Sequence, residues 1–454
     1  MAAPNIEIED LEEALNQLEQ ALERHDVAAA SEILRTLRPA DQADVLEELD
    51  ENHQLTLLPT LNPDESADIF EEFDDEYAAE LASALSTATM IRIVDAMEPD
   101  EAADLLGDIE PEQARAVLAG LEDPEEIRPL LLHPDESAGG LMTSQYLALR
   151  RRMTAADALA AIRAWKPESE MGNQLFVVDA RNVLVGVVDL WQLITADPER
   201  PLLEIMDGEV LSVRTGTDQE EVARLMSRYD LLALPVVDEQ DRLLGVITVD
   251  DVIDVMQEEA TEDIHRMGGA QPLDRPYLDT SVLNVTRKRI GWLLLLFVTE
   301  SLTGSVLRHF ENELQTAVAL AFFVPLLIGT GGNAGSQTTS TVIRALAVGD
   351  LDWGDGLYAL WHELRAGLLL GAGMAVVAYF RALAWGTTTG LAMTVSVSIM
   401  AIVVWANILG AVLPLLAAKF KIDPTVVSGP AMSTLVDATG LFIYFSIARA
   451  FIGM

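Results

Sequence analysis

The acidic residues between positions 248 and 263 have the types and the spacing that could bind a divalent cation. This stretch reads TVDDVIDVMQEEATED, and no Lys or Arg occurs between positions 243 and 265. Acids at 251, 254, 258 and 262 recur every three or four residues and share one face of a helix. Like charges repel by about 1 kcal/mol per pair at 4 Å in water, and by more near a protein surface. A divalent cation would relieve this repulsion. Adaptation to a salt-rich cytoplasm is the alternative, and it would explain the acidity but not the clustering.

A second candidate site lies in the apolar C-terminal part. Asp437 is the only acidic residue of the last apolar stretch. An ionised carboxylate inside a bilayer costs at least about 2.5 kcal/mol, so it should face water or a cation. Mg²⁺ prefers hard oxygen ligands and gives up its water shell reluctantly. The Asp437 carboxylate could therefore hold a largely hydrated ion through its water shell; the alternative is a protonated or helix-paired Asp.

The segment GTGGN at 329–333 supplies neutral oxygens that could complement this carboxylate. Glycines can break a helix and expose backbone carbonyls where they line a cavity. We therefore expect a break here, with Asn333, Ser336 and Gln337 adding side-chain oxygens near it. Small-residue packing between helices is the alternative, and it can hold for Gly335 and Ser336 at the same time.

Charge divides the 454-residue chain into two unlike parts. Residues 1–285 carry 64 acidic and 19 basic side chains, whereas 286–454 carry nine acidic and ten basic ones. The composition excludes a single globular enzyme, and it argues against a nucleic-acid partner, which would need a basic face. Without cysteine, disulfides, thiolate metal sites and cysteine catalysis are impossible. The acidic first 20 residues do not resemble a signal peptide.

Five apolar stretches predict a multi-pass membrane protein. If the N-terminal side is inside, seven basic residues near the span ends face the cytoplasm and three face out. This excess favours a protein of the inner (plasma) membrane whose N-terminal domains are cytosolic. The predicted spans are 290–307, 314–343, 357–384, a fourth helix after GTTTG at 386–390, and about 425–448. Glu300, in the first span, is expected to be a hydrogen-bonded interface group, or else to face an aqueous cavity.

Residues 39–122 repeat with a period near twelve. PADQADVLEELD begins at Pro39, and similar units begin at Pro63, Pro99 and Pro111. DEYAAELASALS from Asp75 and TATMIRIVDAME from Thr87 keep the same phase without the proline. Pro at the first helical turn with apolar residues at helical spacing predicts short helices that must stack into a solenoid.

A second repeat lies between about 142 and 259. FVVDARNVLVGVVDLWQLI from Phe176 aligns with PVVDEQDRLLGVITVDDVI from Pro235 at an offset of 59. Each copy predicts strand, turn, strand and helix, and this resembles a tandem pair of CBS domains. Thr248-Val249-Asp250 matches the Thr-x-Asp that holds ribose in nucleotide-binding CBS domains. We take Val187-Val188-Asp189 as the aligned residues of the first copy, which lacks the threonine; a CBS pair without nucleotide is the alternative.

Together the solenoid, the CBS pair and PLLIGTGGNAGSQTTSTVIRALAVGDLD (325–352) resemble the MgtE family of magnesium channels and transporters. HPDESAGGLMT (133–143) and KIDPTVVSGPAMSTLVDATGLFIYF (421–445) agree. The resemblance implies an all-α solenoid N domain, an α/β CBS pair and an all-α five-span pore domain. It also implies a homodimer with the pore on its axis, and a connecting helix over about 264–281. The corresponding boundaries are 1–135, 136–263, 264–285 and 286–454.

The resemblance also implies site residues. The pore residues would be Asp437, Asn333, Gly329, Gly331 and Gly332. Candidate Mg²⁺-sensing ligands are the acids of the CBS and membrane junctions, with Asp95 added from the solenoid: Asp218, Glu220, Asp230, Asp251, Asp254, Glu259, Glu262, Asp263 and Asp423. Thr248 and Asp250 would bind ATP as a regulatory ligand.

The sequence therefore predicts a dimeric, non-enzymatic Mg²⁺ channel whose cytosolic part binds Mg²⁺ and closes the pore. A transporter of Mn²⁺ or Co²⁺ on the same scaffold is one alternative; Zn²⁺ or Co²⁺ as the main substrate is disfavoured because the pore offers no Cys or His ligands. A membrane-anchored nucleotide-sensing protein is the other alternative, although an anchor needs neither five spans nor Asp437.

Overall fold

The computed structural model describes residues 8–165, 174–273, 277–278 and 280–452. The chain forms two compact units, residues 1–257 and residues 258–454. The first contains a helical solenoid followed by two small sheets, and the second contains the membrane helices. The predicted combination of all-α, α/β and all-α parts is confirmed.

Short helices of nearly equal spacing build the solenoid. Their bounds are α1 Ile8–Glu23, α2 Val27–Leu34, α3 Pro39–Glu47, α4 Glu51–Leu57, α5 Pro63–Phe70, α6 Asp75–Ala84, α7 Thr87–Val94, α8 Pro99–Asp108, α9 Pro111–Leu118 and α10 Pro124–Ile127.

The twelve-residue period predicts where these helices begin. Helices start at Pro39, Pro63, Asp75, Thr87, Pro99 and Pro111, as the repeat requires, and α4 fills the remaining interval. Proline lacks a backbone N–H and has a helical φ, so the first turn accepts it without loss. Alternate helices pack together, α5 on α7 and α6 on α8 for example, and bury a continuous apolar core that no single helix could cover.

Two matching three-stranded sheets follow the solenoid. The first contains β1 Ala148–Arg150, β2 Gln174–Val178 and β3 Leu184–Asp189, with helices α11 Ala155–Trp165 and α12 Leu190–Thr195. The second contains β4 Val213–Arg214, β5 Ala233–Val237 and β6 Leu243–Thr248, with helices α13 Gln219–Tyr229 and α14 Val249–Met267. In each sheet the first pairing is parallel and the second antiparallel.

Strand register corrects one alignment within this repeat. Gln174 pairs with Asp189 in the first sheet, and Ala233 pairs with Thr248 in the second. Asp189, rather than Val187, is therefore the counterpart of Thr248, and the first copy has Asp-Leu-Trp where the second has Thr-Val-Asp. The offset of 59 residues applies to the turns as well, because Asn182 and Asp241 both have positive φ. The conclusion that the first copy lacks the threonine is unchanged.

The helix predicted over about 264–281 ends earlier. Helix α14 reaches Met267, and the next described helix begins at Val282. Gly269 has φ +74°, the N–H of Ala270 bonds to the carbonyl of His265, and the N–H of Gly269 bonds to that of Arg266. This is a glycine-based helix C-terminus, and Pro272 follows it. The connecting helix is thus the continuation of the last CBS helix; residues 274–276 and 279 lie outside the described part.

Five described helices are long and apolar enough to cross a membrane, as predicted. They are α15 Val282–His309, α17 Val324–Ala347, α18 Gly356–Ala384, α19 Thr389–Lys419 and α20 Gly429–Ile452, and the short helix α16 Glu311–Thr316 precedes α17. A buried core joins α17, α18, α19 and α20. Two contacts fix the far end of α20: the Tyr444 hydroxyl donates to the Leu320 carbonyl at 3.0 Å, and Arg449 pairs with Glu313 at 3.3 Å.

The helix break expected at GTGGN is wrong. Helix α17 begins beside Pro325 and continues through 329–333 without interruption. The glycines instead permit close helix packing, because a Cβ at Gly331 would lie 2.5 Å from Ile402 and one at Gly332 would lie 2.7 Å from Ser433. At Gly329 a Cβ would meet nothing within 4 Å. The small-residue alternative therefore applies to Gly331, Gly332 and Gly335.

Candidate cation sites and their relatives

A buried carboxylate of the solenoid faces the acidic helix of the second CBS copy. Asp100, in the first turn of α8, is 5% exposed, and its Oδ1 has no hydrogen-bond partner among the described residues. The charge of Asp251 in α14 acts on it. Asp251 is partly buried, and its Oδ2 accepts the Thr248 hydroxyl at 2.7 Å. Two carboxylates thus share a poorly solvated space inside one compact unit.

The pKa values of this group show how unfavourable its charge is. Burial, reinforced by Asp251, raises the pKa of Asp100 well above its ordinary value. Burial, reinforced by Asp100 and Asp104, raises the pKa of Glu101 to about 9. Burial also raises the pKa of Asp251. Without a cation, such carboxyls reduce the repulsion by retaining protons. The sequence interpretation missed Asp100 and Glu101 because they occupy the ordinary acidic positions after a repeat proline.

A second pair joins the same two elements. Burial raises the pKa of Glu72, and Asp254 is the largest of the charges that add to the effect. Burial, with Asp250, likewise raises the pKa of Asp254. Asp251 and Asp254, one helical turn apart, therefore each face an acidic residue of the solenoid. Both belong to the predicted sensing set, and the charge of each acts on a carboxyl group of the solenoid.

Other predicted ligands have local structural contacts. The Oδ1 of Asp95 is exposed and accepts the N–H of Glu122 at 2.8 Å, which stabilises the next turn of the solenoid. Asp218 caps α13 by accepting the N–H of Glu220 at 3.0 Å. Asp230 ends that helix in a left-handed conformation with φ 51°. Among the described residues, no three Asp, Glu or His side chains form a metal cage. The assignment of these residues to Mg²⁺ stays a prediction.

At the end of α14 the side chain of Arg266 lies among the carboxylates where a metal cation was expected. Arg266 pairs with Glu262, one turn earlier, and its Nη1 lies 2.5 Å from Oδ2 of Asp423. Asp423 also caps the turn before α20, where its carboxylate accepts the backbone N–H of Thr425 at 2.8 Å and the Thr425 hydroxyl at 2.6 Å. Burial and the charge of Asp423 raise the pKa of neighbouring Asp263, whereas Arg266 and Arg344 lower it. Glu262, Asp263 and Asp423 thus lie close together, with Arg266 among them as a counter-ion.

In the membrane part, Asp437 lies on the helix that packs against the glycines of α17. Met432 and Val436 of α20 contact the space beside Gly335 and Gly331, and Asp437 follows directly, partly exposed. Asn333 and Gln337 are exposed on α17 in the single chain. The charge of Glu300 on α15 acts on Asp437, so the two carboxylates lie in one electrostatic environment. Glu300 itself is exposed in the single chain.

The nucleotide candidates lie together at the end of β6. Thr248 is 6% exposed, and its hydroxyl is bound to Asp251. The Oδ1 of Asp250 is buried without a hydrogen-bond partner among the described residues. A carboxylate oxygen in that state can accept a hydroxyl donor such as ribose.

This combination of five apolar helices, a lone carboxylate on the last of them and an acidic N-terminal unit is typical of a cation transporter. The family profile described as a divalent cation transporter, MgtE, matches residues 324–447. The MgtE intracellular N domain matches residues 37–136, and a CBS domain matches residues 202–258. The chain belongs to the MgtE family.

Relatives agree over nearly the whole chain. The magnesium transporter MgtE of Thermus thermophilus is 39% identical over 437 residues, 95% of this chain and 97% of its own length. That of Bacillus subtilis is 36% identical over 72% of each chain. A solved cytosolic domain of the Mg²⁺ channel MgtE in complex with ATP is 36% identical, with TM-score 0.51 over 53% of this chain and 99% of its own. The soluble part of a magnesium transporter gives TM-score 0.50 at 32% identity, over 55% of this chain and 99% of its own.

The raised pKa values of the solenoid carboxyls predict a pH-dependent stability. Glu101 has a folded pKa of about 9 against 4.5 in its ordinary state. Between these values the folded state binds more protons than the unfolded state, so stability falls as pH rises. Without divalent cations, the thermal midpoint of a fragment ending at Met267 should be lower at pH 8.5 than at pH 6.

The double substitution Asp100→Asn, Glu101→Gln should flatten this dependence, and millimolar Mg²⁺ should raise the wild-type midpoint mainly at pH 8.5. Calorimetry or circular dichroism measures both effects. Equal wild-type midpoints at the two pH values would contradict the assignment, as would an unchanged slope in the double variant.

Proposed function

We propose that the chain is a Mg²⁺-selective channel that mediates uptake across the inner (plasma) membrane and closes when cytosolic Mg²⁺ is plentiful. Asp437 carries the proposal: it is the single carboxylate of α20, on the helix that packs against the glycines of α17. A carboxylate at such a position serves an ion path or a proton relay more often than it serves stability. The relatives from Thermus thermophilus and Bacillus subtilis are magnesium transporters, which favours magnesium as the ion.

The ligand types favour a hard cation. Carboxylate, amide and hydroxyl oxygens suit Mg²⁺ and Mn²⁺, whereas thiolate and imidazole suit the softer metals. Asp437, Asn333 and Gln337 offer only oxygen ligands and amide groups. Transport of Mn²⁺ or Co²⁺ is the second candidate, and competition between these ions in the flux assay decides between them. A nucleotide-sensing protein that is merely anchored in the membrane would carry no ion at all.

Two features support a homodimer. Glu300 is exposed within a membrane helix, where lipid is an unfavourable neighbour and a second subunit or an aqueous path is a favourable one. The equivalent helices α12 and α14 of the CBS pair expose large apolar side chains: Trp191 73%, Ile253 60%, Ile194 52% and Met256 49%. A twofold axis through such faces would bury them and bring two copies of Asp437 to one path.

Gating follows from the charges of the first unit. Its acids exceed its bases by a wide margin, and self-repulsion opposes a compact arrangement of solenoid and CBS pair. Mg²⁺ between Asp100 and Asp251, and between Glu72 and Asp254, would remove that opposition. Each site that binds only the compact state stabilises it by about 2.7 kcal/mol at a hundredfold excess of ligand over Kd. Several such sites would make closure steep in Mg²⁺.

ATP is proposed as a regulatory ligand of the second CBS copy. The supporting observations are the buried Oδ1 of Asp250, which has no hydrogen-bond partner among the described residues, and the solved relative in complex with ATP. The functional parts would be the N domain (1–135), the CBS pair (136–263), the connecting segment (264–285) and the pore domain (286–454), with the N-terminal parts in the cytoplasm.

The permeation assignment predicts that Asp437→Asn lowers Mg²⁺ uptake into vesicles by roughly tenfold or more, because a lost interaction of about 1.4 kcal/mol changes an equilibrium by that factor. The variant should remain folded, since Asp437 makes no described hydrogen bond that holds the helices together. Fluorescent-dye uptake at equal protein content measures the effect. Wild-type uptake by the purified Asp437→Asn protein would disprove the assignment.

The gating assignment predicts that Asp251→Asn, Asp254→Asn, Glu259→Gln and Asp263→Asn together leave a channel that stays open at millimolar Mg²⁺. The matched control replaces four exposed glutamates of α1 by Gln: Glu12, Glu13, Glu19 and Glu23. This control changes net charge equally and should close like the wild type. If both quadruple variants close at the wild-type Mg²⁺ concentration, the α14 cluster is not the sensor.

The nucleotide assignment predicts that ATP binds the full-length protein in detergent, and that Asp250→Ala weakens binding about tenfold, as the loss of a charged hydrogen bond allows. Glu239→Ala, an exposed change in the same CBS copy, should leave the affinity unchanged. Titration calorimetry checks both. No heat with the wild-type protein would leave the CBS pair as a mechanical module.

A further inference from the structure

A layer of polar side chains crosses three of the membrane helices. Glu363 of α18 has a side chain that is 15% exposed, Asn407 of α19 is 1% exposed and Thr338 of α17 is 6% exposed. Oε2 of Glu363 lies 3.3 Å from the Thr338 hydroxyl and 3.4 Å from Nδ2 of Asn407. One carboxylate oxygen therefore accepts hydrogen bonds from two neighbouring helices.

Apolar and glycine layers enclose these polar groups. One turn nearer the loop that joins α17 to α18, Val342, Ala359 and Ala411 belong to a separate buried apolar cluster. Glycines beside the polar groups bring the backbones close: a Cβ at Gly410 would lie 2.8 Å from the Gly335 carbonyl oxygen, and one at Gly367 would lie 3.1 Å from Cβ of Asn407. Glu363 is the eighth residue of α18, about 10 Å along the helix from its start.

An acidic side chain at this depth destabilises the membrane helix, so its contacts need a function that offsets the cost. Its neighbour His362 approaches Oε1 at 3.2 Å, but the His362 side chain is 62% exposed and extends away from the layer. The hydrogen bond from Thr338 to Glu363 constrains the rotation of α17 about its axis. Thr338 follows Asn333 by five positions, about 140° around the helix, so the bonded side of α17 lies away from the side that exposes Asn333 and Gln337.

We propose that Glu363 is a positioning residue for permeation: it holds α17 through Thr338 and α19 through Asn407, and so fixes the rotation of the helix that presents Asn333 and Gln337. This inference rests on the proposed function, because it assigns a role to α17 in the ion path. Oδ1 of Asn407 is buried without a described partner. A glutamine at 363 can accept from Thr338 and also donate to that oxygen.

The experiment compares Glu363→Gln with Glu363→Leu in vesicles. Glu363→Gln should keep Mg²⁺ uptake within about twofold of wild type because it retains the hydrogen bonds, whereas Glu363→Leu should lower uptake about tenfold and change the ratio of Mg²⁺ to Mn²⁺ uptake. Wild-type uptake and ratio in Glu363→Leu would overturn the proposal. Reduced uptake with an unchanged ratio would overturn it too, since a role in folding alone lowers the amount of active protein without altering selectivity.

A less disruptive pair of substitutions tests the positioning role if Glu363→Leu fails to fold. Thr338→Val removes only the bonded hydroxyl, and Thr341→Val makes the same change where the hydroxyl is exposed and bonds to the Gln337 carbonyl of its own helix. Thr338→Val should lower uptake several-fold and shift the ion ratio, while Thr341→Val should change neither. Equal behaviour of the two valine variants would contradict a positioning role.

One readout does not depend on ion flux. The chain has no cysteine, so Gln337→Cys introduces a single thiol on the exposed side of α17. Its rate of modification by a water-soluble maleimide should change when Glu363→Leu is added and should not change with Glu363→Gln. If wild-type vesicles take up no Mg²⁺, the proposed function fails, whereas an unchanged modification rate in Glu363→Leu refutes the positioning role by itself.

Discussion

Repulsion among carboxylates that the fold brings out of water governs the N-terminal unit of this protein. Asp100 is almost completely buried and faces Asp251, and Glu101 lies beside it with a pKa raised to about 9. A compact first unit therefore requires protons or cations at these positions. Hydrophobic stacking of the solenoid helices supplies the opposing free energy, because their shared core is continuous with that of the second CBS copy. These two contributions therefore oppose each other within the first unit.

The membrane part solves a different problem, because it must move a doubly charged ion through a medium that excludes charge. Glycines in α17 give close packing against α19 and α20, so these helices need few bulky side chains between them. Acids are few in the five long helices: Asp437, Glu300 and Glu363 lie on three different ones. Glu300 and Asp437 share one electrostatic environment, Glu363 accepts hydrogen bonds from Thr338 and Asn407, and no three acidic or histidine side chains among the described residues form a metal cage.

Sequence periodicity predicted the solenoid well because its signal is local. Proline at a first turn and apolar residues one turn apart fix where α3, α5, α8 and α9 begin, whatever packs on them. The same reasoning could not find the site at Asp100. Asp64 occupies the equivalent repeat position and is exposed, whereas Asp100 is buried, and this difference arises from contacts distant in sequence. The helix break predicted at GTGGN was wrong for a related reason. Glycine lowers helix propensity locally, but packing against the neighbouring helices outweighs that preference.

Helix α14 carries acidic residues near its start and an arginine in its last turn. Its first turns carry Asp251 and Asp254, which face solenoid acids, and its last turn carries Arg266, which holds the turn before α20 through Asp423. Nineteen residues of helix span about 28 Å, so these two groups of charges lie on well-separated turns of one helix. Arg266 pairs with both Glu262 and Asp423 and balances one of their two negative charges, whereas Asp251 and Asp254 take part in no ion pair among the described residues. The two ends of α14 therefore differ in charge balance: its last turn carries its own counter-ion, and its first turns leave their repulsion to be relieved by protons or cations.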